Sequence, residues 1–211
     1  MLRLNQERAA WELKNETNKI NVRWFLMLVI TSYLGYVLES GQAQKIGNTR
    51  ILTWYFILAI LAGMSVLNLI FFLYTLRVRM KGTEVSRVLK YITMTTDLVA
   101  VSLLVTATQG SQSNFFVVYF IVMVSNGLRY GMRMSLFGVL VFNMCYVGVL
   151  VFEFQGRLDD VPGRQTEVLK VAGVWLVGLY VGYLARRFEM LRGEVEKYQR
   201  LVEELMARKD A

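Results

Sequence analysis

This chain predicts an all-α, polytopic membrane bundle of six transmembrane helices, with the last helix extending as a cytoplasmic coiled coil. Three observations carry that expectation. The chain is 55% hydrophobic, with a mean hydropathy of +0.40. It contains several apolar stretches of about 20 residues, the length that crosses roughly 30 Å of hydrocarbon. It has one proline in 211 residues, so little interrupts helical segments.

Taken in order, the spans read as about 22–38, 51–76, 91–108, 114–128, 134–154 and 168–185. The stretch before them, 1–21, reads as a cytoplasmic N-terminal segment. Its Glu7, Glu12 and Glu16 are unlike a secretory signal, and no apolar core precedes a small-residue cleavage site. Residues 22–185 form the membrane domain and 186–211 the cytoplasmic helix. The outer loops, about 12, 5 and 13 residues long, are too small to hold a ligand-binding domain.

Charge sets the expected orientation. Arg3, Arg8, Lys14, Lys19 and Arg23 lie before or at the start of the first span, and Arg77, Arg79, Lys81, Arg87 and Lys90 between the second and third. Arg129 and Arg133 follow the fourth, and seven more bases follow Ala185, which leaves only Lys45, Arg50, Arg157, Arg164 and Lys170 for the opposite loops. By the positive-inside rule both termini are expected on the cytoplasmic side. The net charge of +8 thus reflects membrane orientation, and no nucleic-acid partner is expected. The partners expected are membrane lipid, a second copy of the chain, and a cytoplasmic output domain or partner protein.

The absence of histidine and the lone Cys145 remove His-based and Cys-based metal sites, catalytic triads and any phospho-accepting histidine. With no clustered carboxylates inside the spans, no catalytic residue and no metal ligand is expected in this chain.

The fourth span is short for a bilayer. Either the polar loop before it dips below the outer surface, buried in protein or lining a wet cavity, or the bilayer thins around it. Asp97 is the acidic residue well inside a span. Such groups are costly and face the bundle interior or water. It reads either as a ligand contact or protonation-sensitive switch, or as a helix-to-helix hydrogen bond that fixes packing. Thr93 shares its face, and Thr96 adds a hydroxyl nearby.

Candidate ligand-binding residues are Asp97, Thr96, Gln109, Gly110, Gln112, Asn114, Phe115 and Tyr119. Gly110 permits a backbone conformation other residues avoid, and Gln109, Gln112 and Asn114 supply amide donors and acceptors. Phe115, Phe116 and Tyr119 would add an aromatic wall, suited to a small polar head on an apolar molecule. The alternative is an ordinary tight turn with interfacial aromatics.

Asp97, the run Thr106-Ala-Thr-Gln-Gly-Ser-Gln-Ser-Asn-Phe-Phe116 and the turn Leu128-Arg-Tyr-Gly-Met-Arg133 together resemble the six-helix sensor regions of bacterial membrane histidine kinases, of the redox-responsive and pilus-regulating types. In those regions an Asp in the third helix precedes a Gly-Gly-x-x-Asn-Pro-Phe or Gly-Gly-x-x-Ser-x-Phe turn, and an Arg-x-Gly-x-Arg turn follows the fourth helix. Related regions precede diguanylate cyclase domains. Here Gln109 stands in place of the first Gly, Gly110 is kept, Ser113 holds the Asn or Ser position, Asn114 replaces proline and Phe115 is kept. The resemblance implies a sensory input module, with quinone as one candidate ligand at the turn and fatty-acid signals as another. Its output domain, a kinase or a diguanylate cyclase, would lie outside this chain.

The last helix carries the clearest pattern. Apolar residues fall at Val174, Val177, Val181, Leu184, Phe188, Leu191, Val195, Tyr198, Val202 and Leu205, in alternating steps of three and four. Up to Ala185 the other positions are mostly apolar; from Arg186 they are mainly Arg, Glu, Lys and Gln. The eight stripe residues from Val181 to Leu205 mark a signalling helix expected to pair with a second copy. Arg187 would face Arg192 across a parallel dimer, so the coiled coil is marginal, as suits a switch. Gly178 and Gly182 fall beside the seam and are expected to pack within the protomer. A different reading of size and span number is a substrate-binding membrane subunit of a small-solute or vitamin transporter, which leaves the heptads unexplained.

Overall fold

The computed structural model describes residues 2–39, 50–81, 86–108, 110–155 and 163–209. Its elements are six α-helices: α1 (Leu2–Glu39), α2 (Arg50–Lys81), α3 (Arg87–Ala107), α4 (Val117–Tyr130), α5 (Met132–Glu153) and α6 (Arg164–Lys209). Two 3-10 turns, Gly110–Gln112 and Asn114–Phe116, join α3 to α4, and no strand occurs among the described residues. Four segments are long and apolar enough to cross a membrane: Tyr55–Lys81, Arg87–Ala107, Met132–Glu153 and Gln165–Val195. This is a helical membrane protein.

α1 runs without a break across the expected boundary at residue 21, and its Glu16, Lys19 and Ile20 are buried in the bundle. The helix thus continues through that boundary, and its last turn before it packs into the bundle. Successive helices run up and down, so that one end of the bundle collects the charged residues of α1, α3 and α4 and the other holds the 3-10 turns. These are called below the charged end and the turn end.

α3 lies between two apolar clusters. On one side Met94, Leu98, Val101 and Val105 pack with Tyr119 and Met123 of α4, Val139, Phe142 and Tyr146 of α5, and Val174 of α6. On the other, Leu104 and Ala107 meet Ile30 of α1 and Ile57 and Ile60 of α2. Met94 and Leu98 are completely buried because both sides of α3 are covered.

In a bilayer, helices gain nothing by hiding apolar surface from equally apolar lipid. Close approach and hydrogen bonds hold them together instead. The α5–α6 contact uses both. Ser135 Oγ donates to the Gly178 carbonyl at 2.5 Å, and a Cβ at Gly178 would collide with Val139, or at Gly182 with Met132. Both glycines thus serve contacts inside the protomer. Val181 also faces inward, since it is buried against Gly127 of α4. This corrects its expected place on an intermolecular seam: a side chain packed into its own bundle is not available to a second copy.

Two turns depend on glycine. Gly131 (φ 83°) ends α4, its N–H donating to the Gly127 carbonyl at 2.9 Å. Gly110 (φ 59°) opens the first 3-10 turn. Both lie in the left-handed region that side chains avoid.

α6 leaves the bundle after Ala185. From Arg186 to Met190 every side chain is exposed, and Leu191, Val195, Tyr198, Val202 and Leu205 continue uncovered. The full helix has 46 residues, about 69 Å at 1.5 Å per residue.

Overpacking at the α5–α6 contact should destabilise the protein. Gly178→Val is expected to lower the melting temperature in detergent, with a loss of about 1–3 kcal/mol. Gly148→Val is the control, because nothing lies within 4 Å of a Cβ there.

Candidate functional site

The charged end is built from α1, α3 and α4. Arg23 clasps Asp97 with two groups: Nε lies 2.8 Å from Oδ1, and Nη2 donates to Oδ2 at 2.9 Å. The same Nη2 reaches the Thr93 carbonyl at 3.1 Å. Lys19 donates to Thr93 Oγ1 at 2.7 Å and stands 3.8 Å from Asp97 Oδ2. One turn earlier on α1, Glu16 accepts a hydrogen bond from the Tyr130 hydroxyl at the end of α4. Lys19 and Lys90 each lie 5.5 Å from the Tyr130 ring centroid.

Sequence reasoning counted Lys19 and Arg23 among the bases that orient the chain. The structure instead makes both of them counter-ions of Asp97, buried at 4% and 8% exposure. The signal was present: three charged residues, Glu16, Lys19 and Arg23, are spaced three and four apart and share one face of α1. The pair joins one hydrogen bond from Nη2 to the charge attraction of Nε, and such charge-assisted bonds are among the stronger polar contacts. Breaking it leaves a buried charge without compensation.

Lys19 precedes the first apolar span. Burial pulls its ammonium from 10.5 down to about 8; Asp97 opposes this, and Arg23 adds to it. Tyr130 is pushed well above its ordinary value by burial, and further by the charge and hydrogen bond of Glu16.

The turn end has its own polar network. Ser111 donates to the Glu153 carboxylate from its backbone N–H at 2.6 Å and from its hydroxyl at 3.0 Å. Lys170 of α6 donates to the Ser111 carbonyl at 2.5 Å and to Glu167 Oε1 at 2.7 Å. Glu167 also accepts from the Tyr146 hydroxyl. The carboxylate of Glu153 occupies the space that a Cβ at Gly110 would need. Ser113 closes the second turn by accepting from the Phe115 N–H at 3.2 Å and pairing with the Thr108 hydroxyl at 2.6 Å. Gly110, Ser111 and Ser113 of this irregular backbone are buried, while Gln112 and Asn114 between them face outward.

The eight ligand candidates do not converge. Gln109 lies outside the described residues. Thr96 donates to the Thr93 carbonyl of its own helix at 2.9 Å. Gln112 and Asn114 are exposed, and Phe115 packs edge-on to Tyr33 of α1 with centroids 5.4 Å apart. Tyr119 is no wall of an open site: it is fully buried, bonded to Ser102 at 2.7 Å and 4.9 Å from the Phe142 ring. Asp97 lies midway along α3 and the turn beyond its C-terminal end, about 15 Å apart along the helix from 97 to 107. The rise of one helix separates residues that seemed neighbours in sequence.

A narrow cleft opens between α1 and α4, with α3 as its floor. Of the described candidates only Asp97 lines it, together with Lys19, Arg23, Ser125 and Asn126 at the charged end. Glu153, Glu167, Lys170 and Asn126 are the residues that sequence reasoning passed over. Glu153 was legible as a carboxylate inside the fifth span. Among the described residues no group of acidic or thiol side chains could hold a metal ion.

Comparison with family models, with curated proteins and with solved structures gave no match to this chain.

Two outcomes test the charged end. Asp97→Asn should cost about 3–5 kcal/mol of stability by stranding Arg23, and adding Arg23→Gln should restore part of it; denaturant melts in detergent measure both. The lowered value of Lys19 means that the folded state gives up this proton before the unfolded chain does. Stability should therefore rise with pH from about 8 towards 10.5. Tyr130 acts in the opposite sense above about 10, where the unfolded chain loses its phenolic proton first. Between pH 8 and 10 the wild-type melting temperature should gain on that of Lys19→Met.

Proposed function

We propose that the chain is a sensory input module of a bacterial inner membrane. In this reading all six helices cross the bilayer and both termini are cytoplasmic. A membrane-soluble or outer-face stimulus changes packing around Asp97 or the 110–116 turn. α6 carries the change to an output domain, a kinase or a diguanylate cyclase, outside this chain.

The observation that carries this reading is the course of α6. One helix begins in the turn-end network, through Lys170 and Glu167, and packs in the core through Val174, Gly178 and Val181. It then leaves the bundle with its apolar stripe uncovered: Phe188, Leu191, Val195, Tyr198, Val202 and Leu205 are all exposed. An amphipathic helix with no partner in its own protomer favours a partner helix. A straight helix drifts about 20° per heptad against a strict seven-residue repeat, so two heptads turn the stripe about 40°. That drift lets the face used within the bundle at Val181 turn toward a second copy by Val195. A parallel homodimer through this stretch supplies the coiled coil, and its short length keeps it marginal.

Disulfide cross-linking in native membranes tests the proposal. Single cysteines at Val195, Tyr198 and Val202, after Cys145→Ser, should cross-link readily; cysteines at Glu196 and Arg200, away from the seam, should not. Equal cross-linking at all five, or at none, would sink the dimeric signalling helix.

A further inference from the structure

At the charged end, donors outnumber the acceptors they can reach. The ammonium of Lys19 has three N–H groups. Among the described residues one of them meets an acceptor, Thr93 Oγ1 at 2.7 Å. Asp97 stands 3.8 Å away, beyond hydrogen-bond distance, and is already clasped by Arg23. Arg23 Nε faces Asp97 at 2.8 Å without the alignment of a hydrogen bond, and the buried Nη1 of Arg129 has no hydrogen-bond partner.

Charge follows the same imbalance. α1 brings Glu16 and Arg23 toward Lys19, α3 brings Asp97, and α4 brings Arg129, so three cations share two carboxylates. Tyr130 of α4 holds Glu16 by its hydroxyl, and Lys19 and Lys90 of α3 each lie 5.5 Å from its ring. α2 contributes the uncharged Phe71, 4.9 Å from the Arg23 guanidinium. Lys19 itself is 4% exposed. Burial and like charge both disfavour an ammonium, and this one has a single hydrogen bond in return. Losing one proton equalises the charges, removes an unmet donor and leaves a neutral amine still bonded to Thr93.

We propose that the charged end is a proton-operated joint between α1 and α4, with Lys19 as the group that titrates and Asp97 as the fixed counter-ion of Arg23. With Lys19 neutral, α1 is seated on α4 as described above. With the proton on, the ammonium is drawn toward water and α1 parts from α4 at this level. The proposal rests on the sensory reading above for the side this end faces, the cytoplasm, and for what α6 does with the movement. α6 lies within reach of the joint. Tyr130 is followed by Gly131, where a Cβ would lie 3.2 Å from the Glu189 carboxylate, and one turn earlier Gly127 packs against Val181. The sense of the response follows from the lowered value of Lys19, about 8 when buried against 10.5 in water. Between those values the open arrangement holds a proton that the seated one lacks. Rising pH therefore favours the seated one, roughly tenfold from pH 7.5 to 9.

The test is pulsed electron paramagnetic resonance on the full chain in phosphatidylcholine nanodiscs, in the Cys145→Ser background, with nitroxide labels that do not titrate. Labels at Thr17→Cys and Leu128→Cys, both exposed positions, report the joint. Dilution with unlabelled chain confines the reading to pairs within one copy. The pair is expected to show two distances, the shorter gaining roughly tenfold over the longer between pH 7.5 and 9. Lys19→Met, with no proton to lose, should keep the shorter distance throughout. Lys19→Gln, which keeps an N–H for Thr93, replaces it if that variant melts early. No shift with Lys19 present, or an equal shift without it, as titration of the chain's amino terminus would give, overturns the proposal. A single label at Val195→Cys, undiluted, reads the distance between copies in the same discs. A joint that shifts with no Val195 signal overturns the dimeric module alone. A Val195 signal with no Lys19-dependent shift at the joint overturns the joint alone, and a Val195 distance that ignores pH while the joint shifts overturns the link to α6.

Discussion

A carboxylate in an apolar helix needs counter-charge within hydrogen-bond reach, and Asp97 finds it in Arg23 and Lys19 of α1. Much of the rest depends on that contact. Among the described residues the polar bonds from α1 to α3 gather at Asp97 and Thr93, while α1 also packs on α2 through Ile30, Ile57 and Ile60. Thr93 adds two acceptors at the same point: its hydroxyl oxygen accepts from Lys19 and its carbonyl from Arg23. The low dielectric strengthens each of these bonds and penalises any partner left alone.

The aromatic core lies between this charged end and the turn end. Tyr119, Phe142, Tyr146 and Phe116 pack mostly edge to face, with Phe142 and Tyr146 stacked at an interplanar angle of 14°. Such contacts are specific in angle, so a shift at either end has a limited set of ways to be absorbed. α6 touches this core and both ends: Lys170 and Glu167 at the turn, Gly178 and Val181 in the middle, and Glu189 beside Gly131. In the proposed reading, a helix connected in this way would carry a shift from one end to the other.

Much of the fold was legible before any coordinates. The apolar stretches located the six helices, Gly110 and the glycine of the Leu128–Arg133 turn stood where the backbone needs positive φ, and Gly178 and Gly182 fell beside the heptad seam and do pack within the protomer. The candidate site was less legible. Residues 97 and 110–119 are close in sequence and seemed to converge, yet the second half of α3 lies between Asp97 and the turn. Tyr119 looked like a wall because aromatic residues near a turn often line sites; it is core because α5 covers it. Lys19 and Arg23 were read through the charge bias they contribute to, which says nothing about which face of a helix they occupy.

The sequence by itself determined the class, the helices and the continuous α6 stripe, because these depend on local composition and periodicity along one chain. Only the tertiary structure decided which charges meet, which part of the stripe is consumed inside the bundle, and where α1 and α4 part to leave a cleft. Those are relations between helices distant in sequence, fixed by crossing and rotation, and no period along the chain encodes them.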